Sequence, residues 1–301
     1  MTTARDPGSY KDPKGYIYYK KNSNSVFRRI TKFGSKSFLE LEKSGIYKKS
    51  ASKKFLIGYK KKLQSKNGEI ELEHPKIPYL SYSHEWTFSQ LKKTALFHLD
   101  FHLFLLKNGY TLSDANTHNV QFIGSKPIFI DHGAFEPYQE GTPWIAHRQF
   151  CEQFLNPLLL QAYRNIGFNE WYRGRLEGIA TSDLAVMLPH RAKFRPAILT
   201  HVVLPAFFDR KAVRAKPSPK AAKGREFKLP KSGLVGMLTG LRRYISKLSL
   251  PGGHTVWGDY ATDNSYSSDE AEKKRGNVAS FASSYTPNTF LDIGCNSGAY
   301  S

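Results

Sequence analysis

The feature that most constrains this chain is residues 111–135, where two short apolar runs are joined by a tight turn. Val120–Ile123 forms the first run, and residues 127–130 form the second after Gly124 and Ser125. Short runs of apolar and β-branched residues separated by glycine favour an antiparallel β-hairpin. A hairpin places the residues before its first strand beside those after its second strand, so both flanks are expected at one end.

Both flanks of this predicted hairpin carry polar side chains suited to phosphate chemistry. Asp114 and Asn119 precede the first run, and Asp131 follows the second. Phosphoryl transfer uses one aspartate to orient or deprotonate an acceptor hydroxyl, and an asparagine with a second aspartate to hold Mg²⁺ against phosphate oxygens. The spacing therefore predicts a phosphoryl-transfer type of site at the end of the hairpin.

This stretch resembles the protein-kinase-like fold, in which a D-x-x-x-x-N catalytic loop and a D-F-G metal loop are joined by such a hairpin. The resemblance implies that Asp114 is the catalytic base, that Asn119 and Asp131 bind magnesium, and that Mg-ATP is a cofactor. Two departures are visible, because Leu-Ser replaces His-Arg before Asp114 and His132 replaces the phenylalanine. The alternative is a degenerate kinase-like scaffold whose acids only hold loops by hydrogen bonding.

The segment before this stretch predicts a small, strand-rich region without a phosphate-covering G-x-G-x-x-G. Its predicted elements are strands at Gly15–Lys20, Ser25–Ile30, 55–63 and 69–73 and a helix at 36–44. The kinase-like interpretation expects Glu40 or Glu42 to pair with Arg28 or Arg29 on the preceding strand. A solvated helix face is the alternative for these glutamates.

Helical patterns flank the hairpin on both sides. Thr87 and Gln90 form a capping-box pattern that begins a helix ending near residue 108. His98 and His102 lie four apart on that helix, but no H-E-x-x-H motif accompanies them, so packing is favoured over metal binding. Residues 144–163 predict a second helix with an interruption at Asn156-Pro157, and Cys151 within it is expected to be a buried thiol.

The charge of the chain indicates acidic partners. With 45 Lys and Arg against 25 Asp and Glu, the net charge is +20, which suits nucleotides, nucleic acid or anionic surfaces. Residues 209–231 are basic and proline-containing and predict an exposed linker, which is favoured over a nucleic-acid-binding arm. Two cysteines exclude a disulfide framework. There is no secretory signal and no membrane-spanning run, so a cytoplasmic protein is predicted.

A second motif lies at the end of the chain. Residues 268–283 predict a helix capped by Ser267 or Ser268, and residues 289–293 predict a short strand before the string LDIGCNSGAYS. That string resembles the first motif of class I S-adenosylmethionine-dependent methyltransferases, in which glycines let the backbone approach the cofactor. The resemblance implies cofactor-binding roles for Asp292, Gly294, Asn296 and Gly298, with Asn296 replacing the middle glycine of D-x-G-x-G-x-G.

The order of these regions resembles a bacterial two-part family. In that family a kinase-like N-terminal region precedes a class I S-adenosylmethionine-dependent methyltransferase domain, and some members are nodulation-protein-like. The resemblance covers roughly residues 15–301 and is carried by HPKIPYLSYSHEW, TLSDANTHNVQF, FIDHGAFEPY and HRQFCEQFLNPLLL. It implies an α+β, protein-kinase-like fold with a reduced N-lobe and a helical C-lobe, followed by the first strand and loop of a truncated Rossmann-like methyltransferase domain.

The expected domains follow from this order. They are a mobile N-terminus (1–14), a kinase-like domain (15–208), a basic linker with a connecting helix (209–255) and the start of a methyltransferase domain (256–301). The chain is expected to be a fragment of a longer protein that transfers a methyl group from S-adenosyl-L-methionine to an unknown acceptor, and to be inactive alone. An ATP- and Mg-dependent phosphotransferase and a non-catalytic basic scaffold for acidic partners are the alternatives.

Overall fold

The structure is a computed structural model that describes residues 3–9, 12–214, 228–251, 265–295, 298 and 300. The chain divides into two compact units, Met1–Leu250 and Pro251–Ser301. The first unit is α+β, with a sheet followed by helices that enclose a β-hairpin, which is a protein-kinase-like order of elements. No helix in the described ranges is both long and apolar enough to cross a membrane.

Five antiparallel strands form the sheet, in the spatial order β1-β2-β3-β5-β4. They are β1 (Thr3–Arg5), β2 (Gly15–Lys20), β3 (Ser25–Ile30), β4 (Lys61–Gln64) and β5 (Ile70–Pro75). The predictions for β2 and β3 are confirmed. The strand predicted at 55–63 begins only at Lys61, because Ile57 N–H donates to Phe129 O (2.9 Å) and draws residues 55–57 to the hairpin instead. The N-terminal segment predicted as mobile contributes β1, which pairs with β2.

Two helices, α1 (Lys32–Lys43) and α2 (Ile46–Ser52), separate β3 from β4. The predicted ion pair between α1 and β3 is wrong. Glu42 accepts from Tyr59 (2.7 Å) and pairs with Lys62, while Glu40 is exposed. Alternation along β3 explains the difference, because Arg29 is registered against Glu71 of β5 and pairs with it at 2.9 Å.

The central helix α3 (Phe88–Lys107) carries the core of the first unit. Its predicted start is confirmed, since Gln90 N–H donates to Thr87 Oγ1 (3.2 Å) and Thr87 N–H donates to the Gln90 side chain (2.8 Å). Helix α11 (Lys231–Ser246) packs on α3, and Arg242 forms a bidentate pair with Asp100. The helix that the sequence predicts as a connector is therefore part of the core of the first unit, and its buried residues are Leu234, Leu238, Leu241 and Ile245.

The predicted hairpin is confirmed. Strand β7 (Val120–Ile123) pairs antiparallel with β8 (Lys126–Phe129). A second pair, β6 (Tyr110–Leu112) with β9 (Phe135–Pro137), lies outside it in sequence. The loops 113–119 and 130–134 are thus held at both ends, by β6–β9 at one side and by β7–β8 at the other.

The helix predicted after the hairpin contains a wide turn. Helix α4 (His147–Phe150) continues through a π-helical turn at Cys151–Leu155 into α5 (Asn156–Arg164). Pro157 has no N–H to donate to the carbonyl of residue 153, so the ladder cannot continue in α register there. The Gln153 carbonyl instead accepts from the Tyr172 hydroxyl, and the Glu152 carbonyl accepts from Ile179 N–H (2.9 Å). The helix is thus continuous through Asn156-Pro157, and a π turn just before this pair takes the place of the predicted interruption. Such turns are frequent at functional sites.

The remaining helices of the first unit complete its helical part. They are α6 (Asn169–Gly174), α7 (Thr181–Met187), α8 (His190–Lys193), α9 (Pro196–Ile198) and α10 (Leu204–Arg214). A second π turn, Leu199–Val203, joins α9 to α10. Helix α10 extends six residues into the segment predicted as linker, whose residues 215–227 lie outside the described part of the chain.

The second unit contains helix α12 (Ser268–Tyr285), whose capping box at Ser267 and Glu270 confirms the predicted start. The strand predicted at 289–293 is wrong, because these residues form no strand in the structure. A strand requires a hydrogen-bonded partner, and the described residues 265–295 contain no second strand. Leu291 and Ile293 are accordingly 81% and 89% exposed.

Gly178 fixes the π turn at Cys151–Leu155 from outside, which gives a prediction for stability. Its φ is +82°, and a Cβ at this position would lie 2.3 Å from the Glu152 carbonyl oxygen. Gly178→Ala is expected to lower the free energy of unfolding by about 2–4 kcal/mol, because it adds left-handed strain and a backbone clash. Gly174→Ala is the matched control, since a Cβ there meets nothing within 4 Å. Urea denaturation that ranks the two variants equally would contradict this.

Candidate functional site

The structure brings Asp114, Asn119 and Asp131 to one end of the hairpin. Asn119 Nδ2 donates to Asp114 Oδ2 at 2.7 Å, and Ile130 N–H donates to the Asn119 carbonyl at 2.8 Å. Ser113 N–H donates to the Ala134 carbonyl at 2.9 Å, which joins the two loops at their other side. Because the Asn119 amide nitrogen points at Asp114, its oxygen is the atom left to face a ligand.

A cation from the sheet completes this group. Arg28 Nη1 contacts Asp131 Oδ1 at 2.9 Å, and its Nη2 donates to the Ile130 carbonyl at 3.1 Å. The pair is mostly buried, with 12% of the Arg28 side chain and 23% of the Asp131 side chain exposed. Arg28 lies on strand β3 of the sheet. No local pattern in the sequence predicts this contact, which joins residues 103 positions apart.

The loop that carries Asp114 is held by two glutamines of the following helix. Gln149 Oε1 accepts from Ala115 N–H (2.8 Å), and Gln153 Oε1 accepts from the Thr117 backbone N–H (2.8 Å) and hydroxyl (2.9 Å). Burial raises the pKa of Asp114, against hydrogen bonds from Gln149 and Asn119 that lower it, and the charge of Asp131 raises it further. A carboxylate with a raised pKa is a better proton acceptor, as a general base requires.

Beneath Asp131 lies a cluster of aromatic rings around two buried histidines. His132 lies with its ring centroid 5.0 Å from His74 and 5.2 Å from Tyr47, and the Tyr47 hydroxyl donates to the His132 carbonyl at 2.8 Å. Burial lowers the pKa of His74 to about 4 and holds the pKa of His132 well below its usual range, and the nearby Arg28 charge lowers both further. His132 therefore packs as a neutral ring, which is how an apolar side chain would pack here.

An open cleft lies beside this group, between β2, β3, α1 and the loop 130–134. Its lining includes Lys14, Gly15, Arg28, His132 and Gly133. A Cβ at Gly15 would lie 2.7 Å from the Arg29 carbonyl oxygen, so β2 and β3 approach closely only because glycine is present. The Nε of Arg28 is buried and has no hydrogen-bond partner among the described residues. An unpaired donor of this kind fits an anionic ligand.

The candidate S-adenosylmethionine residues belong to the second unit. Gly294 and Gly298 have φ values of +83° and +75°, which are left-handed conformations that favour glycine. Asp292 precedes Gly294 in the exposed segment that replaces the predicted strand. Asn296 lies outside the described residues.

The two histidines on α3 are both buried. His98 is fully buried among aromatic rings, and His102 Nε2 lies 2.8 Å from Thr111 Oγ1. Burial lowers the pKa of His98 to about 4. Both rings therefore pack inside the first unit.

Comparisons with known proteins give one relative in sequence. Over 304 aligned residues the chain is 35% identical to nodulation protein NoeA of Rhizobium meliloti (strain 1021), covering 99% of this chain. The chain spans 63% of the length of that curated relative. No protein-family model matches the chain.

Solved structures that match the chain include two kinases. The kinase PK-1 of Cydia pomonella granulovirus aligns over 61% of this chain and 79% of its own, with 14% identity and a TM-score of 0.39. Vaccinia related kinase 3 aligns over 78% of this chain and 86% of its own, with 14% identity and a TM-score of 0.34.

The neutral packing of His132 predicts a specific pH dependence. As the pH falls, His132 is protonated in the unfolded chain at a higher pH than in the folded chain. The stability that the neutral ring provides above its ordinary pKa is therefore lost as the pH falls towards the lowered pKa of the folded chain. His132→Phe is expected to change the free energy of unfolding by less than about 1.5 kcal/mol near pH 8 and to lose less stability near pH 5 than the unmodified chain does. The exposed His190→Phe is the control. Thermal unfolding curves whose acid shift is the same in all three proteins would refute this.

Proposed function

We propose that the first unit is a magnesium-nucleotide-dependent phosphotransferase domain, with Asp114 as the base. The observation that carries the proposal is the convergence of Asp114, Asn119 and Asp131 with Arg28 at one end of the hairpin. An aspartate base, an asparagine and a second aspartate in this arrangement are the groups that phosphoryl transfer uses.

The donor set fits a hard divalent cation. Both donors to Asp131, Arg28 and Gly133 N–H, use Oδ1, so among the described residues Oδ2 is left for a metal ion. The Asn119 amide oxygen faces away from its hydrogen bond to Asp114. Oxygen ligands from one carboxylate and one carboxamide, with the remaining positions taken by water and phosphate, suit Mg²⁺. A bound magnesium ion would neutralise charge on the phosphate oxygens.

The residues of this chain then have separable tasks. Asp114 accepts the proton of the acceptor hydroxyl, whose oxygen forms the new bond to phosphorus as the bond from phosphorus to the nucleotide leaving oxygen breaks. Asn119 holds Asp114 in place through its 2.7 Å hydrogen bond. Arg28 supplies positive charge where the phosphate chain approaches the loop, and its unpaired Nε adds a donor there.

Affinity for the nucleotide is expected to be weak, because the chain has no glycine-rich loop to supply backbone donors over the phosphates. Isothermal calorimetry with Mg-ATP is expected to give roughly millimolar binding. Asp131→Asn keeps the size of the side chain and an acceptor for Arg28, and is expected to remove metal-dependent binding. Asp292→Asn, in the second unit, is the matched control and is expected to bind as the unmodified chain does. Equal binding by Asp131→Asn and the control would exclude the proposed site.

A second candidate function belongs to the whole protein. The string LDIGCNSGAYS supports methyl transfer from S-adenosyl-L-methionine, and two of its glycines adopt the left-handed conformations that a close cofactor loop uses. In this proposal Asp292 assists the amino-acid part of the cofactor, and Gly294, Asn296 and Gly298 line the loop. The acceptor nucleophile would attack the sulfonium methyl in line, and S-adenosylhomocysteine would leave.

Equilibrium dialysis with labelled cofactor tests this second candidate. The 301-residue chain is expected to bind poorly, and a chain extended to the length of NoeA is expected to bind well. In the extended chain, Gly294→Val is expected to lose binding, because valine strains the φ of +83° and fills the space beside the loop. Gly276→Val, at an open glycine of α12, is the control. Tight binding by the 301-residue chain, or unchanged binding by extended Gly294→Val, would leave the loop as a turn only.

A further inference from the structure

Three potential metal ligands meet in the helical part of the first unit, away from the hairpin. His147 Nε2 lies 2.9 Å from His201 Nδ1, and Cys151 Sγ lies 3.7 Å from His147 Nε2. The three ligand atoms all lie within 4.8 Å of one another. Cys151 and His201 are buried, and His147 is partly exposed. Nothing in the proposed phosphoryl-transfer chemistry uses this cluster.

The same local arrangement, a π turn followed by a proline, occurs twice at the cluster. The π turn Cys151–Leu155 is followed by an Asn-Pro pair, and the π turn Leu199–Val203 is followed by a Leu-Pro pair, so each proline lies two residues beyond its π turn. Each proline removes the N–H that an α register would need, and the wide turn follows. One π turn presents Cys151 and the other presents His201. π turns are rare and are often found at functional sites, so two that face each other point to a ligand.

We propose that His147, Cys151 and His201 form a binding site for a single divalent transition metal ion of borderline softness, of which zinc is the type. One thiolate and two imidazoles are a ligand set that zinc takes in proteins. Three protein ligands leave a fourth position, which the partly exposed side of His147 makes open to water.

The distances suit such an ion after a small adjustment. With zinc–nitrogen bonds of about 2.0–2.1 Å and a zinc–sulfur bond of about 2.3 Å, tetrahedral ligands lie roughly 3.4 Å apart for two nitrogens and roughly 3.5 Å apart for nitrogen and sulfur. The 3.7 Å between Cys151 and His147 is close to this value. The 2.9 Å between His147 and His201 is that of a hydrogen bond, which the ion would replace by moving the two nitrogen atoms about 0.5 Å further apart.

Ion pairs and a ring contact near the three residues hold their helices in place. Arg148 pairs with Glu152 (3.1 Å) and with Asp209 (3.4 Å), which ties the helix of His147 and Cys151 to the helix that follows His201. Trp144 packs edge-on against the His147 ring at 6.2 Å.

The position of the site indicates what a bound ion would stabilise. Gln149 and Gln153, which hold the loop of Asp114, lie on the same helix as His147 and Cys151. A metal ion that fixes this helix would therefore fix the anchors of the candidate catalytic loop.

Cobalt is the probe that tests the site, because a thiolate ligand to Co²⁺ gives a charge-transfer band that no histidine or carboxylate site gives. The reduced 301-residue chain is expected to bind one Co²⁺ with this band, and one equivalent of Zn²⁺ is expected to displace it and raise the melting temperature. Cys151→Ser is expected to lose the band, while Cys295→Ser, at the other and exposed cysteine, is expected to keep it. His201→Gln is expected to weaken Zn²⁺ binding by about 100-fold or more.

The outcomes separate a built site from adventitious binding. Loss of the band in Cys151→Ser with its retention in Cys295→Ser supports the proposal, provided that circular dichroism shows the folded helices in both. If Cys151→Ser does not fold, the His201→Gln and His147→Gln variants decide by their Zn²⁺ affinities. The proposal fails if no thiolate band forms, if the band follows Cys295, or if both histidine variants bind Zn²⁺ as the unmodified chain does.

Discussion

The ion pair between Arg28 and Asp131 joins the two parts of the first unit, because it connects the third strand of the sheet to the loop after the hairpin. The pair is mostly buried, so removing one partner would leave an uncompensated charge, at a cost of about 3–5 kcal/mol. The Ile130 carbonyl and Gly133 N–H complete its hydrogen bonding. Burial is the main cause of the lowered pKa values of His132 and His74, and the nearby Arg28 charge lowers them further.

The hairpin was predictable because its signals are local. Two apolar runs and a glycine turn specify β7 and β8 within eleven residues, and the acids at their ends follow from antiparallel pairing. The Arg28–Asp131 contact was not predictable, since nothing local distinguishes Arg28 from Arg29 until the register of β3 against β5 assigns their faces. The strand predicted at 289–293 failed for the converse reason, because an apolar run alone does not supply a partner strand.

Proline has a second role in this chain beyond ending helices. In place of the interruption predicted at Asn156-Pro157, the structure has a π turn just before that pair. The Tyr172 hydroxyl and the Ile179 N–H donate hydrogen bonds to the carbonyls that the wide turn leaves without a helical partner. Those partners are distant in sequence, so a break and a π turn could not be told apart beforehand. The same holds for the cluster at His147, Cys151 and His201, whose sequence spacing matches no metal motif and whose third member arrives through tertiary packing.

In the proposed phosphotransferase site, the charge pairing at Asp131 would also bear on how tightly a nucleotide binds. A magnesium ion on Asp131 Oδ2 would leave Arg28 on Oδ1, whereas an approaching phosphate would compete with Asp131 for Arg28. If metal and nucleotide enter together, Arg28 gains phosphate and Asp131 gains metal, and no buried charge is left unpaired. Phosphate alone would take Arg28 from Asp131 and leave that carboxylate without a cation, and each 1.4 kcal/mol of that cost, roughly, weakens affinity tenfold. The pair therefore favours, in the proposed site, entry of the nucleotide together with the metal ion over entry of the nucleotide alone.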